Sequence, residues 1–90
     1  MMLPTLHLNG TSGTDLMSQT VDAMLALSDA IRAVQAAGPN GRDYYVQGPR
    51  VIDAAMDEHI ARIEKLEAVQ ADLVAISESI HAQMTERGRK

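Results

Sequence analysis

Positions 52, 59, 66, 73 and 80 hold Ile, His, Leu, Leu and Ile, five residues in steps of seven. A step of seven returns to nearly the same side of an α-helix, whereas a strand alternates faces every residue. Met56, Ile63, Ile76 and Met84 fill in the same stripe at spacings of three and four. The pattern predicts one long amphipathic helix over 50–86, with His59 and Gln70 as its polar interruptions. A second stripe of Met17, Val21, Met24, Leu27, Ile31 and Val34 predicts a shorter helix over 13–37. Ser12 with Asp15 three positions later resembles a capping box at its start. Gly38-Pro39 stops it, because proline cannot continue the hydrogen-bond ladder and glycine accepts a left-handed helix end. Gly48-Pro49 marks the restart, with Pro49 suited to a first helical position.

Two helices joined by a loop over 38–49 form an all-α, coiled-coil-like antiparallel hairpin. Residues 1–12 form a short irregular arm carrying Leu3, Leu6 and Leu8, broken by Pro4, and residues 87–90 are expected to fray. At 1.5 Å per residue the helices would span about 37 and 55 Å, leaving an overhang of about 18 Å on the second. Ile76, Ile80 and Met84 are expected on that overhang, half exposed unless the arm or another subunit covers them. Ninety residues make one domain with a thin core, so oligomerisation into a helical bundle, at least a dimer, is expected. Ala54, Ala61, Ala68, Ala75 and Ala82 also recur every seven residues, either as a solvated face of good helix formers or as a second close helix contact.

The charge pattern narrows the partners. Eight Lys plus Arg stand against twelve Asp plus Glu, a net charge of -4, and three of the eight lie in the terminal RGRK. A general nucleic-acid surface needs a basic face, so bulk DNA or RNA binding is not expected. No apolar run reaches membrane-spanning length, and the start MMLPTLHLNG lacks the basic and apolar regions of a signal peptide. With no cysteine, a cytoplasmic protein is expected, without disulfides or thiolate metal sites.

Catalytic patterns are missing. The serines carry no nucleophile signature, His59 and His81 lie too far apart on one helix to share a metal, and adjacent Glu58-His59 do not face each other. Asp57-Glu58 and Glu64-Glu67 fit a solvated surface. No enzyme activity, cofactor or metal is expected. His59, on the apolar stripe, is either a hydrogen-bonded histidine beside the core or a ligand contact near a subunit interface.

The unusual composition is in GPNGRDYYVQGP, residues 38–49, which holds both tyrosines, the chain's only aromatics. Asn40-Gly41 is turn chemistry that takes positive φ readily. Arg42 and Asp43 can pair to fix the turn, and Tyr44 and Tyr45 can plug the hairpin's open end. The same residues suit a small nucleotide. A tyrosine stacks on a base, a contact worth about 1–3 kcal/mol, and an arginine fork holds a phosphate. Asn40 and Gln47 offer amides, while backbone N–H groups around Gly41 and a helix start favour an anion. Candidate ligand contacts are Asn40, Gly41, Arg42, Asp43, Tyr44, Tyr45 and Gln47, with His7, Asn9 and His59 from the arm and the second helix.

LHLNGTS at 6–12, PNGRDYYVQGP at 39–49 and EHIARIEKL at 58–66 resemble a family of small helical proteins of bacteriophages and prophages. The resemblance covers nearly the whole chain and implies the helical hairpin, but no settled activity. Val46 stands where many relatives have proline. By analogy, the chain is similar in size, architecture and lack of chemistry to phage sponges, which sequester cyclic nucleotide or cyclic ADP-ribose signals of bacterial immunity in the host cytoplasm. Under that reading the loop of one subunit meets the arm or helix of another around the ligand. The alternative is a protein-binding module that docks a host or phage protein on its long helix. A purely structural virion or assembly role is a third.

Overall fold

In a computed structural model, residues 1–88 are described and, among them, the fold is all-helical. The arm leads into α1 (Gly13–Ala36), two short 3-10 turns (Gly41–Asp43 and Tyr45–Gln47) follow, and α2 (Val51–Gly88) completes the chain. The molecule measures 66 × 20 × 20 Å. Its radius of gyration is 19.4 Å, against about 12 Å for a compact domain of this length.

α1 begins where the sequence marks it, with the Ser12 hydroxyl accepting a hydrogen bond from the Asp15 N–H at 3.1 Å. Its end differs from expectation. Gly38 does not take a left-handed conformation, since Gly48 alone has positive φ among the described residues. Instead the Ala37 N–H is shared between the carbonyls of Ala33 and Val34 at 3.1 Å each, which tightens the last turn. α2 starts at Val51, so Pro49 lies in a turn before the helix rather than at its first position. α2 runs through Arg87 and Gly88, where fraying was expected. The rest of the expected frayed tail, Arg89 and Lys90, lies outside the described residues.

The helices fold back on one another as a hairpin, and three contacts show the register. A Cβ added to Gly13 would lie 2.7 Å from Cγ of Met84. The Gln70 amide donates to the Ser28 hydroxyl at 2.8 Å and to the Met24 carbonyl at 3.3 Å. A Cβ on Gly38 would lie 3.2 Å from Nε2 of His59. The first turn of α1 is therefore level with Met84, and α1 ends level with His59. This moves the overhang. Ile80 is fully buried, while Ile76 and Met84 are half-buried. The length of α2 that extends past α1 is its start, residues 51–58, where Ala55 is nonetheless buried, and the second 3-10 turn lies against α2. A loop that folds along two turns of helix displaces the register from that of a tight connection.

The arm is tied to the far end of α2 by one side chain. The Gln83 Oε1 accepts from the Leu6 N–H at 2.8 Å, and its Nε2 donates to the Pro4 carbonyl at 2.9 Å. Leu6 is thereby buried near Gly13 and Met84. The buried set among the described residues is Leu6, Ala55, His59 and Ile80, and none comes from α1. A two-helix layer leaves each helix one shared seam and three open sides, so most apolar residues are only half covered.

Candidate functional site

The loop is ordered by its own backbone. Asn40 accepts from the Arg42 N–H at 3.1 Å through its side-chain oxygen and so caps the first 3-10 turn. That oxygen is held in place by the turn, and the amide nitrogen of Asn40 makes no hydrogen bond among the described residues. The N–H groups of Asp43 and Tyr44 bond to Asn40 and Gly41 carbonyls, and Gln47 and Gly48 bond back to Tyr44 and Tyr45. Neither Asn40 nor Gly41 takes positive φ. The strained position is Gly48, with φ 139° and ψ 165°, a region essentially confined to glycine.

On this frame the candidate side chains point outward. Arg42, Asp43 and Gln47 are exposed, Tyr44 is half-buried, and Tyr45 is 73% exposed. Arg42 and Asp43 do not pair; the ion pairs among the described residues are Arg32 with Asp29 and Arg62 with Glu58. Gly41 has nothing within 4 Å of an added Cβ, so the backbone there is open to an approaching group. Tyr45 at this exposure does not act as a plug within one chain.

His59 is 8% exposed and packs against the backbone of Gly38. Gly38 is needed for that approach rather than for a left-handed helix end. His59 thus lies beneath the loop, at the same end of the molecule.

His7 and Asn9 lie at the opposite end. The arm turns there through the Gly10 N–H to the His7 carbonyl at 3.1 Å, and the His7 ring sits over Gly10. Both side chains are exposed. From His59 to Gln83 is 24 residues of continuous helix, about 36 Å. One chain therefore brings the loop and His59 together, and His7 and Asn9 together, but cannot bring the two groups to one ligand.

A concavity lies at the arm end. A groove of about 290 Å³ is lined by Leu6, Ala82, Gln83, Glu86 and Arg87. Nothing in the sequence pattern singles out Gln83, because its partners lie 77 and 79 positions away. Among the described residues no three His, Asp or Glu side chains come together as a metal-ligand set, and no helix is long and apolar enough to cross a membrane.

No protein-family model, no curated protein and no solved structure matches this chain. The loop remains the feature that sets it apart from a plain helical hairpin: a hydrogen-bonded tip that holds an exposed aromatic ring and a guanidinium without an ion pair among the described residues.

Proposed function

We propose that the protein is a phage-encoded, non-catalytic binding protein. It sequesters a small nucleotide-derived immune signal, of cyclic nucleotide or cyclic ADP-ribose type, in the host cytoplasm and so blunts bacterial defence. The antiparallel hairpins assemble into at least a dimer, and the loop contributes the ligand contacts. Tyr45 stacks on a base, Arg42 grips a phosphate, and the Gln47 amide and the Asn40 amide nitrogen add polar contacts.

One observation carries this reading. The Tyr45 ring is 73% exposed on a loop whose backbone is already ordered, beside an Arg42 that has no carboxylate partner among the described residues. A ring kept only for packing would be covered. A preordered loop loses little conformational freedom on binding, which favours affinity.

The test is depletion. Purified protein is incubated with a panel of cyclic dinucleotides, cyclic trinucleotides and cyclic ADP-ribose isomers, removed by filtration, then heated. Loss of one compound from the filtrate and its intact release on heating is the expected result. An altered product would mean an enzyme. No depletion across a panel that control proteins bind would end the nucleotide reading. Arg42→Ala and Tyr45→Ala are expected to abolish depletion with helicity unchanged.

A second reading rests on a different observation. Met56, Ile60 and Val69 on α2 are 38–48% exposed, which suits a module that docks a protein helix. Under it, pull-downs recover a stoichiometric protein and no nucleotide shifts the melting temperature.

A further inference from the structure

We infer that a second copy of the chain packs end-for-end on the first, so that Val46 at the tip of each copy seats in the other's groove between the arm and the last turns of α2, with Tyr45 left at the open rim. The packing stands without any ligand; only the composite site that it creates rests on the proposed function.

Area is the first argument. The chain exposes 6687 Å², whereas a compact monomer of its mass exposes about 5,100 Å². The excess is about 1,600 Å², and a stable interface takes about 800 Å² from each partner. A second copy on one side of the hairpin uses surface that the fold has left over.

The distribution of that surface selects the orientation. Tyr45 and Val46 are 73% and 76% exposed at one end, and Met56 and Ile60 are exposed on the first turns of α2. At the other end Met2 and Leu8 are 92% and 93% exposed, next to the groove of Leu6, Ala82, Gln83, Glu86 and Arg87. Copies packed in the same direction set tip against tip and leave both grooves open. Copies related by a two-fold axis across the hairpin set a projecting tip into a groove twice and close on themselves.

Size and charge agree with that occupant. At about 290 Å³ the groove has room for an inserted Val46 side chain. Arg42 and Asp43 on the tip would meet Glu86 and Arg87 at the groove, one charge of each sign on each side, so two opposite-charge pairings are available, and none of the four is paired among the described residues. The packing has a further consequence. It carries the loop of one copy to His7 and Asn9 of the other, two groups separated by most of the length of one chain. The candidate contacts then form one site only between copies.

The absence of cysteine gives a clean test. Val46→Cys and Ala82→Cys are made as separate variants, co-refolded, and treated with a short bis-maleimide, while sedimentation of the wild type reports the native mass. A cross-linked dimer from the mixture, absent from either variant alone, with a dimeric or larger native mass, is expected. Cross-linking of Val46→Cys with itself would show copies packed tip to tip and overturn the inference. So would a monomeric native mass, or an oligomer whose mixture does not link. Each of these outcomes is independent of whether any nucleotide is depleted, so failure of the packing and failure of the ligand reading are separable.

Discussion

At the scale of single residues, a few positions carry the fold because so little is buried. Ile80 is fully buried, so Ile80→Ala is expected to cost about 2–5 kcal/mol in urea unfolding, a large share of the stability of a chain this small. Gln70 presents a sharper contrast. Its Nε2 bridges to α1, but its Oε1 is buried without a partner. Gln70→Leu and Gln70→Ala both remove the unsatisfied Oε1 and both lose the bonds to Ser28 and Met24, so Gln70→Ala should destabilise more, by the gap that leucine fills. The same denaturation series distinguishes them. Gly38 and His59 form a coupled pair: Gly38→Ala should destabilise the wild type and be tolerated in a His59→Ala background, as a double-mutant cycle would report.

At the scale of the element, the loop behaves as a built structure. Gly48→Ala is expected to cost about 1–3 kcal/mol, because its φ and ψ are open to glycine alone. Gly41→Ala should be close to neutral, since its φ is not positive and an added Cβ meets nothing within 4 Å. Thermal melts of the two variants check the pair. A loop that is only a flexible tether would tolerate both. Ser12→Ala at the start of α1 should cost about 1 kcal/mol by removing the cap on Asp15. The helices themselves were legible from their periodicity, and Ser12 was legible as a cap because its partner is three residues away. The two 3-10 turns were not legible. Asn40-Gly41 suggested positive φ, yet the side-chain oxygen of Asn40 bonds to the Arg42 N–H and holds an ordinary negative φ instead.

For the whole molecule, shape dominates. A rod of 66 × 20 × 20 Å with four buried residues among those described has little core to stabilise a monomer. Its melting temperature is therefore expected to rise with protein concentration, as mass action requires of an assembling chain. A melting temperature independent of concentration across the micromolar range, with a monomeric sedimentation mass, would contradict assembly. The candidate residues were legible as types, an aromatic pair with an arginine in a turn. Their grouping was not, because the sevenfold spacing of α2 does not say which of its turns faces the loop.

The sequence by itself determined two amphipathic helices, their cap and the interrupting loop, because each follows from contacts within a few residues along the chain. The tertiary structure alone decided the register, and with it which residues are covered. Ile80 is buried at the end of α2, where Gln83 ties the arm back across it, and Ala55 and His59 are buried at its start, on the side of the loop. It also decided that Tyr45 faces water and that His7 and Asn9 lie at the far end from the loop. Local periodicity sets which face of a helix is apolar, but only long-range packing sets what that face meets.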